Sequence, residues 1–199
     1  MKLGILGGTF DPIHLGHLAA AKAALECAGL ERVLFVPSKE PPHRPAAQAP
    51  AEDRLAMARL AVDGEQRFEV SDLELRRGGR SYTVDTVEEL HRRHPQDELF
   101  LILGWDAARL FSTWHQPERV NALASVIVVG RPGAPAPARA DLEAAGIDPD
   151  RAAVCLIPTP DVSGSGLRAA SGAGESITGK VPEGVERYIA EHRLYRDNR

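Results

Sequence analysis

The chain has 199 residues, of which 43% are hydrophobic and 26% are charged, and its formal net charge is −4. This composition is typical of one globular domain of ordinary size with a full core. The negative balance argues against binding to nucleic acid through general electrostatics, but it is compatible with a small anionic ligand held by local positive groups.

The two cysteines and the apolar segments bear on where the protein works. Cys27 falls in a predicted helix and Cys155 in a predicted strand, so we expect buried free thiols and no disulfide. The first residues are too short an apolar stretch for a signal peptide, and no apolar run approaches the roughly 18 residues of a membrane span. We therefore expect a cytoplasmic protein that binds neither membranes nor nucleic acid.

The predicted strands and helices alternate along the chain. The apolar pattern predicts strands at 3–6, 32–36, 68–75, 99–103, 126–129 and 154–157, and helices at 18–26, 51–62, 84–94, 106–111, 117–124, 139–145, 163–170 and 182–191. This order predicts a single doubly wound α/β domain over residues 1–199, with a mostly parallel sheet flanked by helices. In such a sheet, ligands bind beyond the carboxyl ends of the strands.

The first strand-to-helix junction, residues 7–17, reads Gly-Gly-Thr-Phe-Asp-Pro-Ile-His-Leu-Gly-His. Gly7 and Gly8 allow the backbone to approach a ligand closely, because they have no Cβ. The start of the following helix supplies unpaired N–H groups and a positive dipole end. The segment is neither a Walker A loop nor a G-x-G-x-x-G fingerprint. It therefore predicts a phosphate cradle, a phosphate-binding loop for a nucleotide that differs in kind from both of these motifs.

Two histidines lie three residues apart in this junction. On a helical start, His14 and His17 share one face, and two imidazoles there can donate hydrogen bonds to phosphate oxygens. The alternatives are histidines of the core or an i,i+3 metal pair, for which Asp11 is the one further ligand candidate in the loop. We favour the phosphate role because the histidines, glycines and proline coincide at a ligand-binding edge.

Two other segments follow predicted strands and carry polar side chains. The proline-rich segment 37–45 contains Lys39, His43 and Arg44, and it is either a linker or, as we favour, a substrate loop. Segment 161–168 places two serines and an arginine at a glycine-rich helix start, which predicts a second anion site. A plain serine-capped helix is the alternative there.

The first junction resembles the G-x-F-x-P-x-H-x-G-H signature of the nucleotidyltransferase superfamily related to class I aminoacyl-tRNA synthetases. The matching residues are Gly8, Phe10, Pro12, His14, Gly16 and His17. Segment 162–168 resembles the second signature of that superfamily, [IV]-S-S-[TS]-x-[IL]-R, which holds the β- and γ-phosphates of ATP. Here Gly164 departs from the usual serine, which implies a looser helix start or one hydroxyl fewer.

Further segments resemble the bacterial nicotinate-nucleotide adenylyltransferases. They are residues 41–44, 81–83 with 85–86, 104–106, 113–114, 130–133 and 194–195. The resemblance implies a Rossmann-like domain that binds ATP and nicotinate mononucleotide. The implied ATP site comprises Gly7, Gly8, Thr9, Phe10, Gly104, Asp106, Arg131, Ser163, Ser165 and Arg168. We assign the nicotinate mononucleotide site to Lys39, His43, Thr83 and Trp114.

The expected reaction moves AMP from ATP to nicotinate mononucleotide, giving deamido-NAD and pyrophosphate. His17 is expected to donate to the α-phosphate with His14 in support, and Mg²⁺ is expected to arrive on the ATP phosphates with no metal site in the protein. Two rivals remain: a transferase with another phosphate acceptor, and a nucleotide-binding sensor that turns nothing over.

Overall fold

Six strands form one sheet at the centre of the protein. The computed structural model describes residues 1–41, 46–130, 135–156 and 160–196. The strands are β1 (Lys2–Gly8), β2 (Arg32–Pro37), β3 (Phe68–Val70), β4 (Glu98–Gly104), β5 (Ala124–Gly130) and β6 (Ala152–Leu156). Their order in the sheet is β3-β2-β1-β4-β5-β6, and every pairing is parallel. The predicted doubly wound parallel sheet is confirmed.

Nine α-helices lie in the part of the chain that the structure describes. They are α1 (Leu15–Cys27), α2 (Ala51–Val62), α3 (Leu73–Arg77), α4 (Thr83–Arg93), α5 (Trp105–Ala108), α6 (Pro117–Leu123), α7 (Arg139–Ala144), α8 (Gly164–Gly172) and α9 (Glu183–Glu191). Within the same residues, none of these helices combines the length and apolarity needed to cross a membrane.

The sheet has a hydrophobic core on each face, because neighbouring side chains of a strand point in opposite directions. In β4, Ile102 belongs to the core that α1, α2 and α9 cover, and Leu101 belongs to the core under α4, α6 and α7. The alanine-rich sequence of α1 suits its position, since Ala21 and Ala24 are fully buried and let the helix lie close to the strands. Both faces are therefore covered, as a parallel sheet requires.

The predicted strand at 68–75 is wrong beyond its third residue. β3 is an edge strand that pairs with β2 only as far as Val70, and Ser71 makes the last backbone hydrogen bond to that strand. The Ser71 hydroxyl then accepts the N–H of Leu73, which turns the chain into α3. The predicted helix at 106–111 is also shorter, because α5 ends at Ala108 and a 3₁₀ turn follows at Phe111–Thr113.

The expectation of two buried free thiols is wrong. Cys27 and Cys155 form a disulfide, with their Cα atoms 6.0 Å apart across a sequence separation of 128. Cys27 is exposed at the end of α1, whereas Cys155 is buried in β6. The contact exists because α1 crosses the sheet and packs against β6, a proximity that neither residue's local sequence reveals.

Candidate active site

The loops that leave β1, β2 and β4 meet at one edge of the sheet. The parallel register places Gly8 beside Pro37, and the order of strands reverses its direction between β1 and β4. Such a switch point opens a crevice beyond the carboxyl ends of the strands. The predicted phosphate cradle therefore lies at the site where this architecture binds ligands.

His14 and His17 form a stacked pair at the start of α1. Their ring centroids are 3.7 Å apart, and the backbone N–H of His14 donates to Nδ1 of His17 at 3.2 Å. Because Nδ1 accepts this hydrogen bond, the neutral His17 ring carries its hydrogen on Nε2. The buried Phe10 ring packs edge-on against His17 at 5.0 Å. His17 thus has a fixed orientation with Nε2 as its donor atom.

A steric restriction explains why the first signature has a glycine at position 16. A Cβ at this position would lie 3.0 Å from Nδ1 of His14. A larger residue would therefore displace the ring that stacks on His17. Among the described residues, no three His, Cys, Asp or Glu side chains converge as metal ligands.

The Asp11 carboxylate ties the first junction to two distant segments. It is buried and accepts the N–H groups of Gln48 at 2.8 Å and Ala49 at 3.1 Å, and the Tyr195 hydroxyl at 2.8 Å. Burial, together with the Asp11 charge, holds the pKa of Tyr195 far above its ordinary value, so the phenol remains a donor. Because a carboxylate is anionic and only accepts hydrogen bonds, Asp11 positions the loop through these donors and does not bind a phosphate.

The Arg54 side chain of α2 binds backbone carbonyls in the segments that follow β1 and β2. Its Nη1 donates to the carbonyls of Thr9 at 2.6 Å and Ser38 at 2.7 Å, its Nε to Ala49 at 3.2 Å, and its Nη2 to Lys39 at 3.4 Å. The side chain is 1% exposed, and burial lowers its pKa, although a guanidinium remains charged. A fixed positive charge therefore lies directly behind the phosphate cradle.

The sequence contained a signal for Arg54 that we did not use. Arg54, Met57, Ala58 and Ala61 are the buried residues of α2, and their spacing defines the core-facing side of that helix. An arginine on such a side must be satisfied by several acceptors, because burying an unpaired charge is costly. That position alone indicates a structural or functional role.

The second predicted anion site lies against the first. Ser163 caps α8, and its hydroxyl accepts the N–H of Gly166 at 3.2 Å and lies 3.3 Å from the Ser165 hydroxyl. Arg168 reaches across to the first junction, where its Nη1 donates to the Asp11 carbonyl at 2.8 Å. The helix starts of α1 and α8 are thereby joined into one electropositive edge.

Gly164 lies tightly against this contact. A Cβ at position 164 would lie 3.2 Å from the Asp11 carbonyl oxygen and 3.3 Å from Nη1 of Arg168. The departure from the family pattern therefore leaves room for Arg168 at the junction. The buried Nε of Arg168 has no hydrogen-bond partner among the described residues, so the guanidinium retains a donor for an anion.

A cavity of about 240 Å³ opens at the switch point beside the cradle. It is lined by six of the predicted site residues: Gly7, Gly8, Thr9, Thr83, Asp106 and Trp114. Thr83 is the first residue of α4, and Trp114 is half-buried against Phe111 with ring centroids 5.3 Å apart. In the described part of the chain, the hydroxyls of Thr9 and Ser38 on this wall are buried without a partner.

Glu74 is a buried residue of the cavity wall that the sequence did not reveal. Its carboxylate accepts the Thr86 hydroxyl at 2.6 Å and interacts with the Ser81 hydroxyl. Arg77 donates to the Thr86 hydroxyl at 3.1 Å. Burial raises the pKa of Glu74 above its ordinary value of 4.5, against the opposing effect of the two hydroxyls. We missed Glu74 because its segment was interpreted as a strand.

Some predicted site residues lie elsewhere. His43 and Arg131 are outside the described residues. Lys39 is exposed and does not line the cavity, although its backbone N–H donates to the Ser81 hydroxyl at 2.9 Å. Gly104 is exposed at the start of α5. Phe10 contributes support for His17, since its ring is buried.

The fold and these paired anion sites define a class of nucleotidyl-transfer proteins. A family model described as cytidylyltransferase-like matches residues 5–170. That range contains both signature segments and the whole cavity wall.

Two curated relatives identify the family more closely, and one solved structure shares the fold. A probable nicotinate-nucleotide adenylyltransferase of Thermus thermophilus is 47% identical over 98% of this chain and 100% of the relative. A protein of the same name from Symbiobacterium thermophilum is 44% identical over 98% and 95%. The chain belongs to the nicotinate-nucleotide adenylyltransferase family. A Plasmodium falciparum nicotinic acid mononucleotide adenylyltransferase, solved in complex with NaAD, shares the fold with a TM-score of 0.78 at 18% identity, over 98% of this chain and 97% of that one.

Proposed function

We propose that this protein transfers the adenylyl group of ATP to nicotinate mononucleotide, forming deamido-NAD and pyrophosphate. The observation that carries the proposal is the joining of the α1 and α8 helix starts through Arg168 and Asp11, beside a cavity lined by Thr83 and Trp114. One edge of the sheet thus offers a triphosphate site and, next to it, a pocket for an aromatic ring. Family membership supports the same reaction.

The chemistry requires alignment and charge stabilisation. A phosphate oxygen of nicotinate mononucleotide forms a bond to the α-phosphorus of ATP, and the bond from that phosphorus to the bridging oxygen of the β-phosphate breaks. The attacking oxygen is already ionised near neutral pH, so no general base is needed. The cost lies in bringing anions together and in the charge that grows on the α-phosphate and the leaving pyrophosphate.

We assign the α-phosphate to His17, whose neutral ring carries its hydrogen on Nε2 because Nδ1 accepts the backbone N–H of His14. His14 supports that ring by stacking on it. Ser163, Ser165 and Arg168 hold the departing pyrophosphate at the start of α8. The buried Arg54 adds positive potential behind the cradle without touching the substrate.

The remaining ATP contacts are assigned from the strand exits and from the family resemblance. The backbone of residues 7–10 leaves β1 at the crevice and approaches the phosphates, and the resemblance assigns Gly104, Asp106 and Arg131 to the adenosine. Mg²⁺ enters as part of the ATP substrate and is held by phosphate oxygens and water. The Asp11 carboxylate is already bound by three donors, which fits a metal that takes few protein ligands.

The nicotinate ring is assigned to the cavity, where Trp114 stacks on it and Thr83 begins α4. A helix start presents N–H donors, which suit a carboxylate; the amide of nicotinamide adds an NH₂ that would face donors. Asp85, a carboxylate of the first turn of α4 that would reverse this preference, is absent from the described residues that line the cavity, and the Glu74 carboxylate on that wall is engaged by the Thr86 hydroxyl. Lys39 and His43, on the segment after β2, are assigned to the phosphate of this substrate.

Pyrophosphate release with ATP and a panel of nucleotides tests the proposal. We expect turnover with nicotinate mononucleotide. The kcat/KM for nicotinamide mononucleotide should be lower by at least about a hundredfold, since hydrogen-bond complementarity can discriminate between substrates by roughly 10⁴. Trp114→Ala should weaken both nucleotides and keep most of the ratio. A ratio near one would overturn the acid pocket, turnover with another acceptor would favour the rival transferase, and no turnover would favour the sensor.

The site of action is also a proposal. Because ATP is the adenylyl donor, we place the protein in the cytoplasm. The disulfide argues the other way, since cross-linked cysteines are uncommon in a reducing compartment. Cell fractionation with thiol labelling of the recovered protein decides between the two, and recovery outside the cytoplasm would refute this placement.

A further inference from the structure

Glu74 lies where three pieces of the cavity wall meet. It comes from α3, whereas Ser81 belongs to the loop before α4 and Thr86 to the second turn of that helix. The Thr86 hydroxyl donates to Glu74 at 2.6 Å, and the Ser81 hydroxyl interacts with the same carboxylate. Ser81 in turn accepts the backbone N–H of Lys39 at 2.9 Å, which adds the exit of β2 to the network.

Ser81 and Thr86, the two hydroxyl residues, lie on either side of the start of α4. Between Ser81 and Thr86 the chain carries Tyr82 and Thr83, and both of these line the cavity. Tyr82 is the N-cap residue of the helix, and its side chain makes no capping hydrogen bond. Contacts of residues 81 and 86 with the rest of the wall therefore contribute to the position of this helix start, together with the buried Val84 and Val87.

We infer that Glu74 is a positioning residue for the acceptor nucleotide: by accepting the hydroxyl of Thr86, with Ser81 beside it on the cavity wall, it fixes the start of α4 against the cavity. This inference rests on the proposed function, because it assigns the nicotinate nucleotide to that cavity. Glu74 acts through Ser81 and Thr86 and makes no contact with the reacting atoms. The site of phosphate transfer, at α1 and α8, contains no member of this network.

The energetics of Glu74 favour such a role. Placing a carboxylate on a buried wall is unfavourable, and an apolar side chain of similar size would fill the same space without that cost. The carboxylate oxygens of Glu74 interact with hydroxyl groups of residues that line the pocket. Small displacements of a binding group reduce ligand affinity and rate strongly, since productive geometry tolerates errors of well under 1 Å.

The test compares two variants of the network with a matched control. Glu74→Gln replaces one oxygen of the carboxylate by an NH₂ that opposes a hydroxyl donor, and Thr86→Val removes the other side of the 2.6 Å contact at constant shape. The control is Glu89→Gln, which removes another carboxylate near Arg77 on a residue that does not line the cavity. Steady-state KM values for ATP and nicotinate mononucleotide are measured for each protein, with melting temperatures as a check on folding.

We expect both network variants to raise the KM for nicotinate mononucleotide about tenfold or more, with the KM for ATP changed less than about twofold. The control should leave both values unchanged. Should Glu74→Gln fail to fold, Thr86→Val carries the test alone. An equal rise in both KM values, or no rise in either, would overturn the positioning role. Wild-type protein without activity on this nucleotide would instead refute the proposed function.

Discussion

His17 shows how a backbone contact fixes the chemistry of a side chain. The His14 N–H occupies Nδ1, the His14 ring stacks on one face, and Phe10 packs against the ring from the side. Each contact comes from within eight residues of sequence, which explains why the role was accessible from the motif alone. The assignment to the α-phosphate stays a prediction.

Removing the His17 ring should affect the chemical step more than the fold. His17→Ala is expected to lower kcat by about a hundredfold or more, the usual effect of losing one donor to developing charge. The control is His91→Ala, an exposed histidine of α4. Pyrophosphate release under saturating substrates measures the effect. A kcat near the wild-type value would exclude His17 as the α-phosphate donor.

Glu74 makes a prediction about pH and stability. Its folded pKa is raised above 4.5 by burial, so the folded chain holds the proton more tightly than the unfolded chain does. Its contribution to stability is therefore greatest below about pH 4.5 and is lost as the pH rises through the raised value. Relative to Glu74→Gln, wild type should lose free energy of unfolding over that range in urea titrations at a series of pH values. Parallel stability curves for the two proteins would contradict the raised pKa.

At the scale of elements, the site depends on contacts that hold loops from different strands together. Arg54 joins the exits of β1 and β2 from α2, and Arg168 joins α8 to the first junction. These contacts span long stretches of sequence, since Arg54 lies 45 residues from Thr9 and 16 from Ser38, and Arg168 lies 157 residues from Asp11. The cradle is therefore a product of packing α2 and α8 onto the sheet, in addition to its own glycines.

Arg168 should act mainly on ATP. Arg168→Ala removes a charged donor to phosphate, worth about 1.5–3 kcal/mol, so the dissociation constant for ATP should rise roughly tenfold to a hundredfold. The loss of the Asp11 carbonyl contact should also lower the melting temperature slightly. Arg187→Ala, on an exposed residue of α9, is the control. If both substrates weaken equally, Arg168 serves only the fold.

At the scale of the whole molecule, the Cys27–Cys155 disulfide spans most of the chain. It links the end of α1 to the edge strand β6 and closes a segment with a sequence separation of 128. A cross-link over so long a segment restricts the unfolded ensemble strongly. The two helix starts of the phosphate site lie on α1 and directly after β6, so the same bond connects the elements that carry them.

Breaking this bond should destabilise the protein. Cys27→Ser is expected to lower the free energy of unfolding by about 2–5 kcal/mol. Urea denaturation with and without a thiol reductant provides the measurement, and reduced wild type should match the variant. If the reductant leaves the wild-type transition unchanged while free-thiol labelling finds two cysteines, the cross-link is absent in solution.

The sequence by itself determined the order of strands and helices along the chain and the local chemistry of the first junction. Apolar periodicity placed the helix at 51–62 and the core strands, because each pattern spans only a few neighbouring residues. The histidine pair and the serine cap of α8 are also local, since their partners lie within three residues. The roles assigned to the site residues remain predictions.

Only the tertiary structure decided which distant residues meet. Arg168 binds the carbonyl of a residue 157 positions away, Tyr195 binds the carboxylate of the same Asp11, and Cys27 meets Cys155. The edge strand β3 is shorter than predicted because its pairing with β2 stops at Val70. The residues that follow form α3, which places Glu74 in the cavity wall. Sequence periodicity specifies which face of an element is buried. The order of the strands in the sheet specifies what that face touches, and a pattern of neighbouring residues contains no information about that order.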